Sequence, residues 1–515
     1  MSKGVVLAFD LGTSGCKAAL VDDTGHVVAT HFSAYPTTYP QPGRHEQRPW
    51  DWWDAIVETT RTLLSGDVDG SDVIALALSG QSLAMVPVSA AAEPVIDSVP
   101  IWSDSRGEQA SQRLFKSLPE QSWYELTGNG FPPGLYTIFK IACLAGTQPA
   151  ILADTHAILG SKDWINARLT GRFATDYSYA SGSGAYDLRR RAYDTTILEA
   201  VGVRPDLLPV IVASHEVVGG LTVSSATILG LCPGLPIVAG GVDNSCMALG
   251  AGLLSPGSAY LSLGSSNWIS IADKAPVLDI RTRPFVFDHV VPGLYVSALS
   301  TFGGGSSLSW LARLLGRSED ITQMLEEAAT TPIGSRGLVC IPTLAGGTVI
   351  EGGPNSRGVF LGLDLGHSGA DLARSVVEGI ALTLERAVHT LFADIPLPDE
   401  LVAVGGGARS DLLLTALADL LDRPVVRTTA DQSCAALGAA ALGFVGTGVW
   451  DDLANLKTTQ SVTQRFEPSP VRQRAYEPVQ QLFEAARAAA ESATTLRSAV
   501  VARRPNQTEE YDAIN

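Results

Sequence analysis

The order strand, glycine turn, strand is written twice in this chain, and it limits the fold more than any other feature. The first copy, GVVLAFDLGTSGCKAALVDDTGHVVAT, sets the short apolar runs VVLAF and KAALV either side of a glycine turn. It adds a tight Asp23-Thr24-Gly25 connection of the hairpin kind. The second copy, GSAYLSLGSSNWISIAD, runs from Gly257 to Asp273. Each leads into strand and helix units. After the first, the spacing predicts a helix from Trp50 to about Leu64, with Trp53, Ile56, Val57 and Leu63 on one face, and a buried strand over 73–80. After the second it predicts a long amphipathic helix over 372–395, a strand at 401–407 running into glycines, and a helix over 410–421. This repetition predicts a duplicated α/β domain, not one large sheet, and 515 residues exceed what one ordinary core organises. The expected division is an N-terminal domain over 1–240 and a C-terminal domain over 241–450. Helices over 451–515 are expected to pack back on the body before a frayed tail, VVARRPNQTEEYDAIN.

Charge narrows the partners. With 36 basic against 53 acidic side chains the chain carries a formal −17, which repels nucleic acid and anionic lipid. An anionic ligand is not excluded, because backbone N–H groups and a metal ion can hold phosphates on an acidic protein. No apolar run reaches a membrane-spanning length. The N-terminus MSKGVVLAFDLGTSG enters a strand at once with no signal-peptide pattern, so a cytoplasmic protein is expected. Cys16, Cys143, Cys232, Cys246, Cys340 and Cys434 include no CxxC pair and no neighbouring His cluster, and read as reduced, mostly buried thiols.

Five glycine-bearing stretches carry the candidate chemistry. Asp10-Leu11-Gly12-Thr13-Ser14-Gly15 is the turn of the first hairpin: its glycines admit an anion to the backbone, Thr13 and Ser14 bring hydroxyls and N–H donors, and Asp10 can hold hydrated Mg²⁺. A plain hairpin turn with a capping Asp accounts for the same residues. The stretch is neither GxxxxGK[ST] nor GxGxxG before a helix. Gly240-Gly241-Val242-Asp243-Asn244 closes the apolar run PIVAG and sets a carboxylate at a strand end, where a general base must stand; an Asx turn is the alternative. Gly264-Ser265-Ser266 is the turn of the second hairpin and mirrors the first, so the two loops can bind the ends of a triphosphate. The loop from Gly405 to Ser410, GGGARS, has more glycine than a turn needs, a flat surface for a purine and a helix N-terminus for a phosphate. TFGGGSS, from Thr301 to Ser307, is either a further wall of a nucleotide site or a flexible connector.

In this order the motifs resemble those of the FGGY carbohydrate kinase family, within the sugar kinase and actin superfamily. DLGTSG opens the chain, Gly80-Gln81 follows a strand, and KDWINARLTG and ATDYSYASGSGAYDL lie between Lys162 and Leu188. GGVDN, SLGSS, GGGARS and ALGAAALG follow, and GVFLGLDLGHSGADLARSVVE, from Gly358 to Glu378, is similar to the family's C-terminal signature. Within the family the KDW, ATD and GGGARS stretches most resemble those of xylulokinases. The resemblance runs from about Val5 to Gly443. It implies two actin-like (ribonuclease H-like) α/β domains with a cleft between them, and ATP-dependent phosphorylation of a small sugar such as D-xylulose at a primary hydroxyl. It implies Asp243 as the catalytic base, and Asp10 with Asp243 as holders of Mg²⁺. Thr13, Ser14, Gly15 and Lys17 would face the phosphates from the first loop, and Gly264 and Ser265 from the second. Gly305 and Ser309 would wall the nucleotide, and Gly406, Gly407 and Ser410 would meet its adenosine. Gln81, Ser82, Leu83, Trp102, Asp104 and Asn244 fall at sugar-facing positions. A homodimer is compatible with this reading, and no nucleic acid or membrane partner is implied.

The departures from the pattern bear on substrate choice. Xylulokinases carry Met-His after Gly-Gln, where this chain has Ser82-Leu83; Trp102-Ser103-Asp104 stands for Trp-Asn-Asp, and Gly346-Gly347-Thr348-Val349-Ile350 for Gly-Glu-Arg-Thr-Pro. Cys143 replaces the Trp usual after Lys140. A Leu in place of a hydrogen-bonding His removes the polar readout of one hydroxyl and weakens discrimination. Ribulose, erythritol, glycerol and gluconate therefore stand beside D-xylulose as acceptors, and a sugar-independent actin-like ATPase is the rival class. Asp243 is expected to be an ordinary carboxylate, ionised at neutral pH, and His45 a solvated loop residue.

Overall fold

The computed structural model describes residues 4–430, 433–459 and 461–501. The frayed tail expected at the C-terminus lies outside them beyond Val501. The chain opens with an antiparallel meander of β1 (Val5–Leu11), β2 (Gly15–Asp22) and β3 (Val27–Ala34). Large and small side chains alternate along β1, so Leu7 and Phe9 share one face while Val6 and Ala8 share the other. Helix α1 (Pro49–Leu64) joins the core of the large-residue face, burying Trp52, Trp53, Ile56 and Leu63, with Pro49 at its start and Asp51 in its first turn. Then come β4 (Val73–Gly80), α2 (Thr137–Thr147), α3 (Ser161–Thr170), β5 (Val217–Gly220), β6 (Pro236–Val242) and α4 (Asp243–Gly250). The first sheet has the order β5-β6-β4-β1-β2-β3, in which β1, β4 and β6 are parallel.

The second hairpin is β7 (Ser258–Leu263) and β8 (Asn267–Asp273). After it come β9 (Tyr295–Thr301), α5 (Gly305–Leu314), α6 (Gly369–Leu391), β10 (Leu401–Val404), α7 (Asp411–Leu421), β11 (Val425–Thr428), α8 (Cys434–Gly446), β12 (Val462–Phe466) and α9 (Pro470–Val501). Helix α6 starts earlier than its apolar period suggests because Ser368 and Asp371 form a reciprocal capping box. Among the described residues no helix is long and apolar enough to cross a membrane.

By packing, the chain forms two compact units. Among the described residues the first takes those within 4–260, 270–298 and 429–461, and the second those within 261–269, 299–428 and 462–501. These limits differ from boundaries at 240 and 450, and the reason is α4 and α8. Strand β6 lies inside the first sheet, and α4 continues from it. Helix α8 crosses α4 at backbone contact: a Cβ on Gly250 would sit 1.8 Å from the Cys434 carbonyl oxygen, and one on Gly438 2.0 Å from that of Cys246. Gly443 rests on Val6 and Ala77. The Ala- and Gly-rich α8 thus covers the small-residue face of the first sheet, and Asp243 belongs to the first unit. In the second unit, β10 and β11 run parallel, β12 pairs antiparallel with β11, and α9 packs on α6 and α7.

Candidate active site

Three parallel strands of the first unit bring candidate residues to one edge. Leu11 of β1 pairs with Gly80 of β4, and Gly80 with Val242 of β6. The segments that follow, Gly12 to Gly15, Gln81 to Leu83 and the start of α4 at Asp243, therefore leave the sheet side by side. They do so at the carboxyl ends of parallel strands, where open α/β sheets bind ligands. Gly240 permits the last of these. It has a φ of +75° beside a register shift in β6, and a Cβ there would lie 1.9 Å from the Leu78 carbonyl oxygen.

Side chains with no motif of their own tie these segments together. Buried Gln47 donates through Nε2 to the Thr13 carbonyl at 2.6 Å and to Thr37 Oγ1 at 2.8 Å. Its Oε1 accepts from Trp52 Nε1 at 2.9 Å and from Gln81 Nε2 at 2.8 Å. Tyr35 donates its hydroxyl to the Gly12 carbonyl at 2.6 Å, and Trp102 Nε1 donates to Thr13 Oγ1 at 2.9 Å. The Gln81 amide donates to the Leu11 carbonyl at 2.8 Å, while its own carbonyl accepts from Tyr179 and Ser161. Gln81 Oε1 and Asn244 Oδ1 are buried with no hydrogen-bond partner. Ser82 and Leu83, which follow Gln81, are also buried.

Asp104 occupies a supporting place. Its carboxylate accepts from Arg106 Nε and Nη2, each at 2.7 Å, and from the His45 amide at 2.8 Å. Burial alone would raise its pKa, but the bonds from Arg106 hold it below the usual carboxylate range. His45 is not merely solvated, since its Nδ1 shares a hydrogen bond with Ser103 Oγ at 2.7 Å.

The two remaining acids differ from Asp104 in being short of positive partners. Asp10 faces Lys17 across the hairpin and accepts from Ser79 Oγ at 3.1 Å, yet burial raises its pKa. Asp243 opens α4, and its Oδ1 accepts from the Asn244 amide at 2.8 Å and Asn244 Nδ2 at 3.1 Å. Burial, and then the charge of Asp10, push its pKa up to about 7, so Asp243 is not the ordinary ionised carboxylate expected from its context. Behind it, Ser178 Oγ accepts from the Val242 amide at 2.9 Å and donates to Asp176. Asp176 and Asp163 in turn pair with the fully buried Lys162 at 2.9 and 2.6 Å. The KDW and ATD stretches thus anchor the end of β6. Two carboxyl groups whose proton affinity is raised by burial, and for Asp243 also by the charge of Asp10, suit a divalent cation, and Mg²⁺ takes one or two such groups and fills its shell with water and phosphate. Among the described residues no group of three or more metal-type side chains is assembled.

In the second unit three glycine loops gather at the end of β7. Gly305 and Ser306, at the start of α5, donate their amides to the carbonyls of Gly264 and Ser265 at 2.9 and 3.1 Å. A Cβ on Gly405 or Gly407 would press on Leu263, at 2.8 Å from its carbonyl oxygen and 2.9 Å from its Cβ respectively. Gly406 stands exposed between them, and Ser410 caps α7 through the Leu413 amide at 3.3 Å. Ser309 lies one turn into α5, half-buried. The far side of the TFGGGSS loop is held by Glu351, whose buried carboxylate accepts from the amides of Phe302 and Gly303, each at 2.8 Å, and of Thr348 at 2.9 Å. Nothing in the sequence near Glu351 signals this contact.

Residues 5–250 match the N-terminal domain, and residues 259–447 the C-terminal domain, of the FGGY family of carbohydrate kinases. A xylulose kinase of Bacillus subtilis (strain 168) is 29% identical over 449 residues, covering 87% of this chain and 89% of its own. The crystal structure of xylulose kinase from Rhodospirillum rubrum is similar with a TM-score of 0.85 at 28% identity, over 95% of this chain and 100% of that one. The gluconate kinase from Lactobacillus acidophilus is similar with a TM-score of 0.86 at 25% identity, over 96% of this chain and 99% of that one.

Proposed function

The chain belongs to the FGGY family of carbohydrate kinases, and from that premise we propose that it transfers the γ-phosphate of ATP to a primary hydroxyl of a small ketose, D-xylulose first among them, with Asp243 as general base. The observation that carries this reading is Asp243 itself, a carboxylate at the end of β6 whose proton affinity, near pH 7, suits it to take a proton from an alcohol. In the step proposed, the hydroxyl proton passes to Asp243 and the alcohol oxygen bonds to the γ-phosphorus. The bond from that phosphorus to the bridging oxygen breaks, and ADP leaves. Mg²⁺ on Asp10 and Asp243 would offset phosphate charge when bound.

The other residues take roles by their chemistry. In the first unit the amides of Gly12 to Gly15, with Thr13, Ser14 and Lys17, are assigned to phosphate oxygens. In the second unit Gly264, Ser265, Gly305 and Ser309 are assigned to the nucleotide, and Gly406, Gly407 and Ser410 to its adenosine. The unpartnered oxygens of Gln81 and Asn244 suit them as acceptors for sugar hydroxyls. Ser82, Leu83 and Trp102 are assigned to the sugar's flank, and Asp104 to holding that flank in place through Arg106 and His45.

A second acceptor class, another ketose, a polyol or gluconate, is favoured by Leu83, whose side chain offers no hydrogen bond, and by the structural likeness to a gluconate kinase. The test is ADP release in a coupled assay with D-xylulose, L-xylulose, D-ribulose, erythritol, glycerol and gluconate, and with no sugar. Asp243→Ala is expected to lower kcat about 10²–10⁴-fold with the fold and ATP binding retained. Retention of more than half the activity would remove Asp243 from the role of base, and equal ADP release without sugar would replace the kinase by an ATPase.

A further inference from the structure

Two anomalies of the first unit meet at one backbone carbonyl. Leu83 has a φ of +59°, in the left-handed region that non-glycine residues occupy only under strain, and it is only 1% exposed. Lys140, on α2, is fully buried, and the hydrogen bonds of its Nζ go not to a carboxylate but to the carbonyls of Leu83, at 2.9 Å, and Ile101, at 2.6 Å. Asp104 and Arg106 act on it only through their fields, with opposite signs, and burial pushes its pKa down to about 7. An apolar side chain fills a buried site more favourably than a cation without a carboxylate. A neutral amine keeps two N–H groups for two carbonyls, so the contact survives in either protonation state.

The two carbonyls belong to different segments, Gln81 to Leu83 and Ile101 to Asp104, which are otherwise joined near this point by a backbone bond from Met85 to Pro100 at 3.1 Å. We propose that Lys140 is a positioning residue for the acceptor sugar: its Nζ holds Leu83 in the left-handed conformation and sets the spacing between the two segments that flank the sugar. The inference rests on the reading of those segments as the sugar's. It predicts a selective defect. Strain at Leu83 is relieved when the clamp is cut, the two segments separate, and the sugar loses its fitted flank. The nucleotide loops keep their own anchors at Gln47, Tyr35 and Glu351.

The experiment uses the full chain with Lys140→Met, which keeps the length and apolar stem but removes both donors. In the coupled assay the KM for D-xylulose is expected to rise at least tenfold while that for ATP changes less than threefold. In the ligand-free protein, amide hydrogen exchange over residues 81–85 and 99–104 is expected to quicken at least tenfold, with β1 unchanged. That second measurement needs no sugar, so it separates failure of the clamp from failure of the functional reading, which would appear as a wild-type enzyme inactive on every sugar. If Lys140→Met does not fold, Lys140→Arg keeps the charge but moves the donors outward, and the same selective rise, at least fivefold, is expected. Both KM values moving together, or neither moving with exchange unchanged, would overturn the proposal.

Discussion

At the end of β6, Asp243 must lose its proton to act as the base proposed for it, yet burial and Asp10 raise its pKa to about 7. The wild-type kcat/KM for sugar is therefore expected to fall about tenfold per pH unit below that value. Asp10→Asn removes a charge that raises this pKa, so the acid limb should move to lower pH, and the variant should need more Mg²⁺ for half-maximal rate. A pH profile and a Mg²⁺ titration both matching wild type would exclude Asp10 from the site. The same shift has a sign for stability. A carboxyl whose folded pKa lies above the ordinary 3.8 favours the fold most when protonated, and that contribution is lost as pH rises through about 7. Without metal, Asp243→Asn should therefore melt at a higher temperature than wild type at pH 8, with the gap shrinking toward pH 5, as thermal unfolding at both pH values will test. The position of Asp243 was legible as a glycine-flanked acid closing an apolar run. Its charge state was not, because that depends first on burial and then on Asp10, a partner distant in sequence whose nearness only the sheet register reveals.

Among the elements, those with a strong period were readable and their contacts were not. The apolar run of β4 and the one-sided pattern of α1 follow from elementary spacing, and the strand ends then align because β1, β4 and β6 are parallel. The crossing of α4 and α8 left a trace only as small residues, since ALGAAALG says that something comes close without saying what. Its tightness makes Gly438→Leu a direct probe. The added side chain meets the Cys246 backbone, so overpacking should cost about 1–3 kcal/mol, lowering Tm and, by moving α4, kcat. The loop TFGGGSS read equally as wall or connector, and the structure shows it fastened on both sides. Gly347 leaves room for this: a Cβ there would lie 2.5 Å from the Cβ of Glu351. Glu351→Ala leaves the amides of Phe302, Gly303 and Thr348 without their acceptor, and the KM for ATP is expected to rise about tenfold, with that for sugar within twofold, when each is varied at saturation of the other. An unchanged ATP KM would make Glu351 a stabilising residue only.

At the scale of the molecule, a formal charge of −17 acts on both substrates differently. Of the substrates proposed, Mg-bound ATP is an anion approaching an acidic chain, whereas a ketose is neutral. Raising ionic strength from about 10 to about 150 mM should therefore raise kcat/KM for ATP roughly twofold and leave that for sugar unchanged; a fall for ATP would point to a local basic funnel that the net charge conceals. The first unit is closed by α8, which the ribosome makes only after all of the second unit's residues up to 428. Until then the Val6 and Ala77 face of the first sheet lacks the cover that α8 gives it, although a nascent chain already carries every strand of that sheet. The N-terminal half is therefore expected to complete its core only once this last helix has been made. A chain shortened before Cys434 is accordingly expected to leave apolar sheet surface open and to aggregate unless a holding chaperone covers it.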